Sequence, residues 1–260
     1  MRSANRRITL ILVLLALLAP AALAQSSSDD RLFLSFAEDA TIVDSQWWEG
    51  QVELADRDNL DVMVLRGIVA FQPLQDVEVG GRVGFGDTDS DFALGPDGSG
   101  ATDLDLWAKY HMRGSGSDDE FALGALLTIP TGDDAAGLGF DSFGARFFGS
   151  WRRSLPNIIV TANAGVQLNE DGMVGGVQIE GETAPFLAGG VIFPVSDRLT
   201  LTGEAKFEGE RFNGADEDIR IVGGVNWRAA PRGQVRVAIG IGLEDGAPDT
   251  QILGGYAYSF

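Results

Sequence analysis

The chain has 260 residues, 35 of them glycine and none cysteine, with 38 acidic against 19 basic residues for a net charge of −19. Without cysteine there is no disulfide framework and no thiolate metal site. So acidic a chain is also excluded as a nucleic-acid partner.

The chain opens on a basic head (Arg2, Arg6, Arg7), an apolar run from Ile8 to Leu18 and the small residues Ala22-Leu23-Ala24. This is the pattern of a secretory signal peptide, residues 1–24, cleaved near Ala24 so that the mature chain begins at Gln25. The run is short for a transmembrane anchor, and no later apolar run is long enough for a membrane helix. Residues 25–44 form an N-terminal segment: a polar lead, then Arg31-Leu32-Phe33-Leu34-Ser35-Phe36. Three readings of it stay open: a plug in the mouth of a barrel, an extra strand, or a periplasmic tether.

From residue 45 to 260 the sequence becomes regular. Abundant glycine without a collagen-like repeat, few helix-favouring stretches and alternating apolar residues point to an all-β fold. Candidate strands lie at about 45–55, 61–72, 76–87, 102–113, 119–130, 140–152, 157–168, 184–194, 198–208, 218–229, 233–243 and 249–260. Each is near the ~9–11 residues that a tilted strand needs to cross a bilayer. The period of two is plain in Leu199, Leu201, Gly203, Ala205 and Phe207 against Thr200, Thr202, Glu204, Lys206 and Glu208. It recurs in Leu104, Leu106, Ala108, Tyr110 and Met112 against Asp103, Asp105, Trp107, Lys109 and His111.

A soluble sandwich alternates too, with its apolar side inward. The connections separate the two. Long links (87–102, 131–139, 169–183, 209–217) alternate with tight ones such as Pro73-Leu74-Gln75, Leu155-Pro156 and Ala230-Pro231-Arg232. An even strand count with alternating long loops and short turns predicts a transmembrane antiparallel up-and-down β-barrel of about 12 strands, with long acidic extracellular loops and short periplasmic turns. Both termini then fall on the periplasmic side. The final strand, with Tyr256, Tyr258 and Phe260 on one face, resembles the closing strand of bacterial outer-membrane barrels, where it serves as the signal to the barrel-assembly machinery. Localisation in the cell outer membrane of a Gram-negative organism follows. Trp47, Trp48, Trp107, Trp151 and Trp227 with these aromatics are candidates for interfacial girdles, and Trp151, Trp227 and Phe260 fall at the periplasmic ends of their strands.

Without Arg2, Arg6 and Arg7 the 19 basic residues become 16 against 38 acidic, a net of −22, and eighteen of the acids lie in the outer loops. Such loops solvate the exterior, or hold divalent cations and lipopolysaccharide beside the outer-membrane lipid. The spacing of Asp87, Asp89 and Asp91 suits a hard cation but lacks the glycine and distal glutamate of an EF-hand loop.

Inward positions carry both signs of charge: Glu49, Glu53, Arg66, Glu78, Arg82, Asp103, Asp105, Lys109, Arg146, Arg152, Glu204, Lys206, Arg220, Arg228 and Arg236, with Trp107 among them. They line a wet channel and set its selectivity, or pair and close it. Glycines on the same face, such as Gly80, Gly124 and Gly224, leave room for a narrow passage or permit curvature.

Thr102-Asp103-Leu104-Asp105-Leu106-Trp107-Ala108-Lys109-Tyr110 resembles a strand of the outer-membrane protein family named for the meta-pathway of phenol degradation. Leu127-Thr128-Ile129-Pro130-Thr131-Gly132-Asp133, followed by a Gly-rich loop and Asp141, is similar to that family's strand end. The resemblance covers about a quarter of the chain and departs at Ile129. It implies an outer-membrane barrel assigned as a transporter of hydrophobic or aromatic compounds. In physical terms, Pro130 ends the ladder and Thr131-Gly132-Asp133 supplies turn chemistry, which a structural role explains without a ligand.

Two function classes follow. One is a porin-like passive channel for transport of small solutes, hydrophobic ones among them. The other is a closed structural or interaction barrel whose acidic loops bind cations, lipopolysaccharide or a partner. No enzyme and no cofactor are expected: the sole histidine, His111, has no serine or acid pair at a recognisable spacing, and a cluster with Asp103 and Asp105 is the one arrangement that would use it.

Overall fold

In the computed structural model the described residues are 30–57, 60–91, 95–113 and 118–260; the signal-peptide reading of 1–24 lies outside them. Fifteen strands are present among these residues: β1 (Gln46–Arg57), β2 (Leu60–Leu74), β3 (Val77–Ser90), β4 (Gly98–Ala101), β5 (Leu104–Arg113), β6 (Asp119–Ile129), β7 (Gly144–Leu155), β8 (Ile158–Asn169), β9 (Gly172–Val174), β10 (Val177–Ile179), β11 (Thr183–Ser196), β12 (Leu199–Glu208), β13 (Asp218–Arg228), β14 (Gly233–Gly242) and β15 (Thr250–Ser259).

Twelve of them form the wall, each antiparallel to its sequence neighbour. The ring closes where β15 pairs with β1, from Trp47 opposite Ser259 to Asp56 opposite Thr250. Closure leaves no free strand edge, the condition for a sheet to sit in lipid. Three short strands lie outside the wall. β4 pairs onto the projecting end of β3, and β9 and β10 form a hairpin within the loop 170–182, turned by Gly175 and Gly176 at φ 56° and 78°. The predicted strand at 140–152 begins only at Gly144. Asp141 at φ 45° breaks the extended backbone, and Phe140 belongs to the loop, stacked against Phe212 at 5.0 Å.

The two faces separate by the period of two. The outer surface carries exposed Leu65, Phe85, Leu123, Phe147, Leu187, Ile239 and Ile252. A continuous apolar face of this extent calls for lipid rather than water. At the short-turn end, Trp48, Trp227 and Phe260 are about half exposed on that face, and Tyr258 packs edge-on to Phe260 with ring centroids 4.8 Å apart.

Trp47 does not join this belt. It points inward, is fully buried, and packs on Phe36 at 5.5 Å with its indole N–H donated to Glu49. The buried apolar clusters are therefore inside the barrel. Phe36, Ala37 and Val43 pack with Trp47, Ile68, Trp107 and Leu126, and Phe33 packs with Val222, Ala238 and Leu253. Residues 30–44 are the filling and the barrel is the wall.

Trp47→Ala is expected to lower unfolding stability in detergent by about 3–5 kcal/mol, the cost of a large cavity in a packed interior. Trp48→Ala next to it, facing outward, is expected to cost well under half as much. Equal losses in urea titrations of the two variants would contradict the inward placement of Trp47.

Candidate functional site

Residues 30–44 enter at the short-turn end, where Thr200 at the start of β12 donates to the Asp30 carboxylate at 2.9 Å. The segment reaches the middle of the lumen at Phe33 and returns to Ser45 beside β1. Its path is fixed by charge. Arg31 pairs with Glu78 at 2.9 Å, and Lys109 reaches the same carboxylate at 3.1 Å. The Trp107 indole and the Val43 amide also donate to Glu78, at 3.0 and 2.8 Å. Arg236 bonds Glu49 at 2.6 Å and gives its other Nη to the carbonyls of Arg31 and Leu32. Arg152 pairs with Asp39 at 2.7 Å, and Arg146 with Glu38 at 2.8 Å. Glu204 accepts the amides of Phe33, Leu34 and Ser35, the last two at 3.0 and 3.3 Å.

Apolar fit completes the seat. A Cβ added at Gly190 would lie 2.6 Å from Leu32, and one added at Gly224 would lie 2.6 Å from Phe33. At Gly190 and Gly224 the glycine room is thus taken up by the inserted segment, and at Gly80 and Gly124 by Trp107 and Phe148 of the wall, rather than left as a passage.

Above the segment lies a chamber of about 600 Å³, floored by Phe33, Leu34 and Phe36. It opens toward the long loops, where its lining includes the exposed Arg57 and Asp216. Loops close in around that opening. Arg211 stacks over Phe140 and Phe212 at 5.0 and 5.6 Å, and residue 175 donates its amide to the Asp134 carbonyl. Asp103 ties the 130–143 loop down by accepting the amides of Gly132 and Phe140 at 2.9 and 3.3 Å. Burial raises its pKa, helped by the neighbouring Asp105 carboxylate, while the two amides act in the opposite sense.

The residues expected to line the lumen divide by depth. Glu49, Glu78, Lys109, Glu204 and Arg236 point inward but are buried against the inserted segment, so they meet that segment and not a solute. Arg66, Arg82, Asp105, Trp107, Arg146, Lys206 and Arg220 line the chamber. Arg228 sits at the short-turn rim and donates to the Asp197 carbonyl at 2.8 Å. Several of these charges are paired: Arg82 with Asp105 at 2.7 Å, Arg66 with Glu53, and Lys206 and Arg220 with Asp218, which was not among the expected lumen residues. Tyr256, Tyr258 and Phe260 lie on the outer face of the closing strand.

Two arrangements do not hold. His111 lies near the short-turn end of β5, its Nε2 3.3 Å from Glu120, and Asp103 is at the opposite end of the strand, roughly 26 Å away at about 3.3 Å per residue. Asp87 and Asp89 fall on the outer face of β3, and among the described residues no three His, Cys, Asp or Glu side chains gather as a metal site. Sequence reasoning missed the partners supplied by residues 31–39, and Glu208, where Arg146 and Lys206 meet at 2.9 and 2.6 Å. The Glu38-Asp39 pair beside an apolar patch was the available signal.

Glu78→Ala would leave Arg31 and Lys109 buried without their carboxylate, a change costing about 3–5 kcal/mol. The inserted segment is then expected to loosen. Arg31 is the only basic residue between Arg7 and Arg57, so trypsin cleavage after Arg31, read by mass in the folded protein, reports release. Equal resistance of wild type and variant would contradict the seat described above.

Residues 55–260 match the family described as "Putative MetA-pathway of phenol degradation". Among solved structures, an outer membrane channel from Pseudomonas putida F1 superposes with a TM-score of 0.70 at 15% identity, over 91% of this chain and 100% of that one. The KdgM porin gives 0.57 at 12% identity over 82% and 99%, and the NanC porin 0.56 at 8% over 83% and 100%. At these identities the likeness is one of fold. No curated protein matches the sequence.

Proposed function

The chain belongs to the MetA-pathway of phenol degradation family, and from that premise we propose that it is an outer-membrane channel for small solutes, gated by its own N-terminal segment. The observation that carries the reading is a chamber open toward the long loops and floored by residues 30–44. In an outer membrane the long-loop end faces outward and the short turns face the periplasm. A solute entering the chamber reaches Phe33, Leu34 and Phe36, and can go no further until that segment shifts.

The segment suits such a role. Its hydrogen bonds and ion pairs run to single side chains of the wall and can exchange for water as it leaves, while its buried apolar contacts at Phe33, Phe36 and Val43 set the cost of release. No ladder pairing with the wall anchors it among the described residues. Motions of this size fall in the μs–ms range or slower, so passage through single molecules would be intermittent.

The chain has no cysteine, which makes thiol locking clean. Leu32→Cys with Gly190→Cys, bridged by a short bifunctional thiol reagent, is expected to remove conductance steps in a planar bilayer. Each single variant treated in the same way should retain them. Steps that persist after verified bridging would overturn the gate, and the absence of steps in every variant would favour the closed barrel with interacting loops.

A further inference from the structure

The walls of the chamber are asymmetric, and the asymmetry names a class of solute. The inference rests on the channel reading for the chamber being a place that solutes enter. In its ion pairs the cation faces the space and the carboxylate stands behind it. The Arg66 side chain is 30% exposed against 9% for Glu53, Arg82 is 32% exposed against 15% for Asp105, and Lys206 is 19% exposed against 3% for Glu208. Among the described residues, Arg220 with Asp218 is the one chamber pair that runs the other way.

The donors also have capacity left. Among the described residues, Arg82 gives Asp105 its Nε–H and Arg66 gives Glu53 one Nη. Among the described residues no protein acceptor takes their remaining guanidinium nitrogens. A guanidinium with free N–H groups at the wall of a confined space is a ready carboxylate partner.

Beside these cations the wall turns apolar. β2 would be expected to carry polar residues toward the lumen, yet its inward positions Leu60, Val62 and Val64 line the chamber, with Leu138 of the neighbouring loop packed on Val64. Along β2 this strip lies on the outer side of Arg66. Arg82 is deeper still, opposite Ile68 in the ladder. The cations are therefore at the bottom and the apolar strip is above them.

We propose that the chamber binds a small organic anion with an apolar body, its carboxylate on Arg66 and Arg82 and its hydrocarbon or ring against Val62, Val64 and Leu138. A volume of about 600 Å³ lies within the ~300–1,000 Å³ common for small-molecule sites. The arrangement selects against two relatives of such a ligand. A neutral alcohol of the same body forfeits the charge-assisted bonds, and an ammonium meets exposed cations.

The test is isothermal titration of the refolded full-length mature protein in detergent, with micelle-only titrations subtracted. The probes are 4-phenylbutanoate, 4-phenylbutan-1-ol, 4-phenylbutylammonium and butanoate. The first is expected to bind at least about tenfold tighter than the alcohol and than butanoate, a difference of about 1.4 kcal/mol, with the ammonium weakest. R66Q and R82Q should each erase most of the acid's advantage over the alcohol, and V62S should erase its advantage over butanoate. Heat-modifiable gel migration identifies variants that have folded, and the ranking on the unaltered chain stands without them.

Equal binding of acid and alcohol, tightest binding of the ammonium, or no binding of any probe would overturn the proposal. Binding in micelles does not require the N-terminal segment to move. The ligand class can therefore hold where conductance fails, and conductance can hold where the ligand class fails.

Discussion

A charged side chain inside a protein must find a partner, because leaving it unpaired in a low-dielectric interior costs several kcal/mol. The short-turn half of this barrel holds Glu49, Glu78, Lys109, Glu204 and Arg236 on its inner face, all nearly or fully buried. Lys109 pairs with Glu78 and Arg236 with Glu49 within the wall, but those pairs do not satisfy the charges alone. Glu204 is held by three amides of residues 33–35, Glu78 by Arg31 and Lys109 together, and Arg236 by Glu49 and two carbonyls of the inserted segment. Wall and segment complete each other's hydrogen bonding, and the architecture depends on that exchange.

Strand number sets the stage for it. Barrels of about eight strands are filled by their own side chains, and those of about sixteen leave open water. Twelve lies between, and strand count alone does not decide whether the lumen is filled. Here a second stretch of backbone occupies half of it, and the other half stays hollow. The result is a vessel with a floor, and in the channel proposed above passage turns on whether the floor moves. The same division explains why one inner face carries two kinds of charge: deep ones that hold the segment, and outer ones that line the chamber with their cations foremost.

The sequence made the wall legible because lipid outside and polar groups inside impose a period of two on nearly every strand. Strand count, closure and the alternation of long and short connections all follow from it. Where the chain departs from extended backbone, the pattern misled: Phe140 and Ser142 keep the alternation but lie in a loop turned by Asp141. The direction of a side chain such as Arg236 or Glu78 could be read from its position in the strand. Its surroundings could not, since they are supplied by residues some 30 to 200 positions away. Residues 31–36 show no periodicity, so their destination stayed open among plug, strand and tether. Trp47 was misplaced for a related reason. The alternation that turns Glu49 inward turns Trp47 inward too, but a tryptophan at a strand end reads as a belt residue, and the Phe36 it packs on comes from the inserted segment.

The most direct test of a channel floored by its own N-terminal segment is single-channel recording of the mature protein beside a form lacking residues 25–44, each shown to fold by heat-modifiable migration. Brief, infrequent steps in the first and a larger, persistently open conductance in the second are the predicted results. Identical conductance with and without the segment, or none in either, would contradict it.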